Sequence, residues 1–317
     1  RGLAAGMYSA CRDSTILAAH PADFIRRGVM MNEVTPDLET VKILWTGGWD
    51  STFQLLRLLL LENRRVEPYY LIDEDRPSTG IELLTMKRIR KKIRDVNEPA
   101  AALMQPTKLF LVSEIPSNSK ITQAYETIKK DRFIGAQHEW IARFCEDQGI
   151  SGIQLCNHKD DPAAVVVVPI ATSDQQNKHS FKIDDRYFET DEYRLFKYFE
   201  FPILKLTKTD IAQIAKEHGW TQIMEMTWFC HRPINGKPCG LCNPCKYTIK
   251  EGLAWRVPLN RRLMGKVHRL LVQPANNLAK KISVALRQKM HSHKDAGKAE
   301  RKDARDRLDH DEKGARV

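Results

Sequence analysis

From Val41 onward, short apolar runs alternate with stretches in which apolar residues recur every three or four positions. Near-continuous apolar runs read as strands buried on both faces. The 3.6-period stretches between them read as helices that cover a parallel sheet. The predicted strands are 41–46, 66–72, 108–113 and 152–156, and the predicted helices are 49–62, 80–95 and 135–148. Later, the run Phe201-Pro-Ile-Leu-Lys-Leu leads into Thr207-Lys-Thr-Asp210, a hydroxyl followed three residues on by a carboxylate, which predicts a helix N-cap. Ile211, Ile214, Ala215 and His218 then recur at helical spacing until Gly219 ends the helix. His138 and Trp140 share a predicted helix with Ile141 and Phe144, so packing is their default role.

This alternation predicts an α/β fold, an open parallel sheet with helices on both faces. Residues 1–35 show no clear periodicity and are expected to be a poorly defined N-terminal extension. Residues 36–225 are expected to form the main domain, 226–257 a cysteine-bearing segment, and 258–317 a basic helix and a disordered tail, with disorder from 291. The polar stretch 173–195 predicts a loop or lid.

Composition changes this picture only at the C-terminal end. The chain of 317 residues is 42% hydrophobic and 29% charged, ordinary for a soluble globular protein. No apolar run approaches the ~20 residues that span a bilayer, and the start lacks the pattern of a signal peptide. A cytoplasmic location without membrane contact is therefore expected. The net charge of +11 lies entirely in residues 246–317, which hold 19 Lys/Arg and 8 Asp/Glu; the preceding 245 residues hold 32 of each. That end offers an electrostatic footprint for RNA or another macromolecular acceptor. Acidic residues alternate with basic ones after Asp295, which favours a solvated mixed-charge tail.

Two clusters carry chemistry. The first is Thr46-Gly47-Gly48-Trp49-Asp50-Ser51, between a predicted strand and the helix that begins near Thr52. Glycines let the backbone approach an anion closely, and the free N–H groups of a new helix then face the negative charge. No Gly-Lys-Ser/Thr closes it, so it is not a Walker A loop, nor is it a Gly-x-Gly-x-x-Gly turn. The second is Cys230, Cys239, Cys242 and Cys245, crowded into sixteen residues with turn formers between them. Such crowding in a chain without export signals argues for metal, and four thiolates suit a tetrahedral Zn²⁺. The Cys-x₂-Cys-x₂-Cys spacing also occurs in iron–sulfur ligation, and His231 is an alternative ligand. A closed four-thiolate site predicts a structural ion. Among acidic residues, Asp73, Asp75, Asp160 and Asp161 fall at or beyond strand ends, where open sheets place ligands; Asp161 is the preferred Mg²⁺ or substrate contact. Lys205 and Lys208 are candidate phosphate contacts.

The first cluster resembles the PP-loop of N-type ATP pyrophosphatases, which reads Ser-Gly-Gly-x-Asp-Ser, with Thr46 in place of the first serine. Thr227-Trp-Phe-Cys230 with Cys239-Gly-Leu-Cys242-Asn-Pro-Cys245 resembles the zinc segment of the 7-cyano-7-deazaguanine synthase family, whose members also carry a PP-loop. Phe201 to Ile211 and Ile153 to Asp161 resemble two further family segments, so the resemblance covers roughly 41–255. It implies an adenine nucleotide alpha hydrolase-like fold, and ATP split between its α and β phosphates. Thr46, Gly47, Gly48, Asp50, Ser51 and Thr52 would bind ATP; Asp50, Ser51 and Asp161 would be catalytic, with Mg²⁺; the four cysteines would hold Zn²⁺. The family chemistry adenylates a carboxylate on a small molecule, replaces AMP with ammonia, and activates the amide again to leave a nitrile. A homodimer is also compatible.

The chain departs from the family where the acceptor is handled. Tyr70-Leu-Ile-Asp73-Glu-Asp75 stands in place of Tyr-Gly-Gln-Arg-His, and Pro162 to Asp174 in place of Tyr-Pro-Asp-Cys-Arg. Lys246 follows the last cysteine where the family has a later arginine. Three alternatives stay open: sulfur insertion into RNA, deazapurine attachment to a macromolecule, and a non-catalytic nucleotide and zinc binding module.

Overall fold

In the computed structural model the described residues are 40–173, 180–272 and 274. The expectations for 1–35 and 291–317, and most of that for 258–290, lie outside them. The strands are β1 (Val41–Leu44), β2 (Val66–Ile72), β3 (Lys108–Leu111), β4 (Ile153–Gln154), β5 (Ala171–Ser173), β6 (Phe181–Ile183) and β7 (Phe199–Glu200). The helices are α1 (Trp49–Leu60), α2 (Thr79–Val96), α3 (Glu98–Ala102), α4 (Ser119–Asp131), α5 (Gln137–Asp147), α6 (Ala164–Val167), α7 (Asp191–Phe196), α8 (Lys208–Glu217), α9 (Thr221–Glu225), α10 (Asn243–Lys250) and α11 (Leu259–Val267).

Five strands form one sheet in the order β3-β2-β1-β4-β7, parallel at every pairing. The chain winds outward through β1, β2 and β3, then returns to the other side of β1 with β4 and β7. The order therefore reverses between β1 and β4, and such a switch point opens a crevice at the strands' carboxyl ends. Alternation along β1 and β2 sends Leu44, Tyr69 and Leu71 into a core beneath α4, α5 and α7. Ile43, Trp45, Val66 and Tyr70 enter a second core beneath α1, α2, α3, α8 and α9. Both faces are thus covered, as the unbroken apolar strands require. At the switch point the buried Gln54 of α1 donates to Gln154 of β4 (2.9 Å). That bond fixes the first helix against the returning strand.

Residues 173–195 are not a simple loop. Phe181–Ile183 pairs antiparallel with Ala171–Ser173, and Thr190 caps α7 by accepting from the Tyr193 N–H. The predicted capping box is present at α8, where Thr207 and Asp210 satisfy each other's backbone donors. After the cysteine segment, α11 crosses Gly240 with backbone touching backbone. A Cβ built on Gly240 would run into the Arg261 carbonyl oxygen, and one on Gly265 would run into that of Gly240. No helix among the described residues is long and apolar enough to cross a membrane.

Candidate functional site

The glycine loop occupies the carboxyl end of β1, beside the switch point. Gly47 turns the chain at φ +69, a left-handed conformation, and a Cβ there would come 3.1 Å from the Met86 side chain. Gly48 is then the N-cap of α1, and no side chain caps that helix. Its first N–H groups are therefore left for a ligand, at the positive end of the helix dipole. Thr46, Gly48, Asp50 and Ser51 line a cavity of about 260 Å³. Gly47 and Thr52 stand behind that wall. The Gly47 carbonyl accepts from the Trp228 N–H (3.0 Å), and the fully buried Thr52 hydroxyl accepts from the Trp45 indole (3.1 Å). Their part is to shape the loop.

Beneath Asp50 lies an ionic cluster that the sequence pattern does not assemble. Lys208 Nζ, at the start of α8, is 3.5 Å from Asp50 Oδ2 and 2.9 Å from Glu251 Oε2. His158, in the loop after β4, places Nδ1 3.9 Å from Asp50 Oδ2 and Nε2 3.5 Å from Glu251 Oε1. His158, Glu251 and Lys208 are almost enclosed, so burial opposes each charge; the partners prevail. Burial works against the Lys208 ammonium, yet Asp50 and Glu251 hold its pKa above the usual value. Burial likewise opposes the His158 imidazolium, but Glu251 and Asp50 raise its pKa on balance. Glu251 is kept below the ordinary carboxylate range despite burial, by His158 and Lys208. Lys208, and His158 when protonated, thus face two carboxylates next to the loop.

The other predicted acids separate. Asp161 lines the cavity, while its Oδ1 accepts from the Ala163 N–H (2.8 Å). Asp73 pairs with Arg76 (3.2 Å) and, like Asp75 and Asp160, does not line it. Lys205 instead stands over the Phe181 ring, 4.6 Å from its centroid. Arg76 and the buried Glu82 do line the cavity, and Glu82 accepts from Tyr70 (2.9 Å) and Ser78 (2.5 Å). A second, larger cavity of roughly 1000 Å³ adjoins the first and shares Asp50, Asp161 and Lys208 with it. His138 lines this one: Nδ1 lies 3.0 Å from the Gly135 carbonyl, and the buried Nε2 has no partner. It also packs edge-on against Phe196, in keeping with the packing role expected of it.

The four cysteine sulfurs lie within 4.8 Å of one another, and Cys230, Cys239 and Cys245 are buried. An ion ~2.3 Å from each of four tetrahedral sulfurs sets them about 3.8 Å apart. The Cys230–Cys242 and Cys239–Cys245 separations are 3.8 and 3.9 Å. The backbone N–H groups of Leu241 and Cys242 donate to the Cys239 sulfur, and that of Cys239 to the Cys230 sulfur, stabilising thiolate charge. The residues present fit a zinc ion. Through Trp228, two residues before Cys230, this centre is bonded directly to the glycine loop.

Comparison with known proteins agrees with this geometry. The family model described as "Queuosine biosynthesis protein QueC" matches residues 192–254. The 7-cyano-7-deazaguanine synthase of Prochlorococcus marinus (strain MIT 9515) is 36% identical over 59 residues, 19% of this chain. The chain matches about a quarter of that relative's length, 25%. The chain is therefore QueC-like, on a segment that holds Lys208, the four cysteines and Glu251.

Proposed function

We propose that this protein is an ATP-dependent carbon–nitrogen ligase of the QueC type, built on an adenine nucleotide alpha hydrolase-like fold. The observation that carries the reading is the uncapped start of α1 at the sheet's switch point, facing a cavity walled by Asp50, Lys208 and Asp161. A carboxylate oxygen of the acceptor attacks the α-phosphorus of ATP, pyrophosphate leaves, and an acyl adenylate remains. Ammonia attacks the acyl carbon, AMP departs with the C–O electron pair, and a proton goes to solvent. The amide oxygen attacks the α-phosphorus of a second ATP and a second pyrophosphate leaves; loss of AMP with the C–O electron pair, and of the two nitrogen-bound protons to solvent, leaves a nitrile. The QueC-like segment supports 7-carboxy-7-deazaguanine as the acceptor.

The chain's own residues supply position and charge. The loop N–H groups and Lys208 hold the polyphosphate, so that departing pyrophosphate meets preorganised donors. Asp50, whose buried Oδ1 has no partner, and Asp161 would hold Mg²⁺, which neutralises phosphate charge. The four cysteines would hold Zn²⁺ as a structural clamp. A second reading, modification of RNA or another macromolecule, draws on the larger cavity of roughly 1000 Å³, more room than a base-sized acceptor needs.

The test is pyrophosphate release with 7-carboxy-7-deazaguanine, with and without ammonia. Release that depends on both is expected. Asp50→Ala with Ser51→Ala should lower it by about 100-fold or more. Wild-type release from the double variant would remove the glycine loop from the mechanism.

A further inference from the structure

Arg256 is a buried cation that the chemistry above leaves unassigned. It ends the 3₁₀ turn Ala254–Arg256 that follows α10, and it reaches back into the smaller cavity. Its guanidinium carbon lies 4.7 Å from the Trp49 ring centroid and 5.0 Å from that of Phe229. The side chain is only 4% exposed, yet its one ion-pair partner among the described residues is Glu225, at 3.7 Å and 42% exposed. Nη2 donates to the carbonyl (2.5 Å) and the hydroxyl (2.8 Å) of Thr227, both neutral. Burial lowers the arginine's pKa to about 10, with Glu225 and Asp50 only partly opposing it. A guanidinium taken out of water normally keeps a close anion.

The same cavity also holds an unused donor. Trp49 lines the cavity, and its buried indole N–H has no partner, whereas the indole of Trp45 is satisfied by Thr52. Trp49 is the first residue of α1, where unpaired backbone N–H groups and the helix dipole also favour negative charge. We propose that Trp49 and Arg256 together form an anion subsite at the start of α1 that receives a phosphate of the nucleotide's polyphosphate chain. The proposal rests on the ATP reading and deepens it. It also links the cysteine centre to nucleotide binding, because that segment delivers Arg256 and nucleotide affinity then depends on the metal.

Calorimetric titration of the full chain with pyrophosphate, Mg-ATP, adenosine and 7-carboxy-7-deazaguanine tests it. Arg256→Met, which keeps the packing stem, should weaken pyrophosphate and ATP roughly 10- to 100-fold and leave adenosine unchanged. Trp49→Phe, which keeps the ring and removes the donor, should weaken both about 5-fold. Unchanged pyrophosphate affinity in a folded, zinc-loaded Arg256→Met protein overturns the subsite. Equal weakening of adenosine assigns Arg256 a structural role and overturns it too; weakening of the deazaguanine carboxylate alone gives the subsite to the acceptor and overturns the phosphate assignment. Should Arg256→Met fail to fold, wild-type pyrophosphate affinity in Trp49→Phe is decisive against the proposal. Wild-type protein that binds neither pyrophosphate nor ATP removes the nucleotide reading itself, whereas wild-type binding that both variants retain removes only the subsite.

Discussion

One wall of the cleft, Thr46 to Ser51, is contiguous in sequence, whereas the facing wall gathers Lys208, Trp228, Phe229, Glu251 and Arg256 from a span of 49 residues. The contiguous wall is held by backbone geometry: a left-handed glycine, a tight approach to Met86, and a helix start. The gathered wall is held by thiolates, ion pairs and a stacked guanidinium. The first rests on backbone conformation and close packing. The second depends on charges being present and correctly protonated, so the two walls should fail under different conditions.

The most severe break is on the gathered wall. Cys245→Ser should lose bound zinc, as read by metal analysis, and cut pyrophosphate release by about 100-fold or more. Zinc loss with wild-type release and melting temperature would mean that the two walls are independent. On the contiguous wall, Gly47→Ala forces a side chain into φ +69 against Met86 and Thr85. It should cost about 1–3 kcal/mol in urea denaturation while zinc content stays the same; an unchanged midpoint would show that the loop does not need its glycine conformation.

The smallest effect is with pH. His158 has a raised pKa in the folded protein, so its contribution is fully present below the free imidazole value of about 6.5 and fades as pH rises through the folded value. Glu251 has a lowered pKa, so its contribution is present above the free carboxylate range and is lost as pH falls through the folded value. Glu251→Gln removes the main partner of His158, and the alkaline loss of melting temperature should move to lower pH. An imidazole titration by NMR that is the same in both proteins would break the assignment.

Legibility in the sequence follows the same division. The glycine loop could be read because phosphate cradling needs neighbouring residues, and strand and helix periods flank it. The cysteine spacing could be read because one ion constrains short loops. Glu251 and Arg256 sit at no informative spacing; only folding brings them to Asp50 and Trp49. His158 was within reach, since it follows β4 at the switch point, but two-residue strands such as β4 and β7 show no period. The helix α4 is absent from the predicted elements although Ile121, Ala124, Tyr125 and Ile128 mark its buried face and Asn118 caps it. Its intervening lysines and threonines dilute that signal.

The crossing of Gly240 and Gly265 has a mechanical consequence. Because neither glycine carries a Cβ, the backbone of α11 rests directly on the backbone at Gly240. The helix thus has one close seat on the Cys239–Cys242 turn, and a Cβ at either glycine would lift it off.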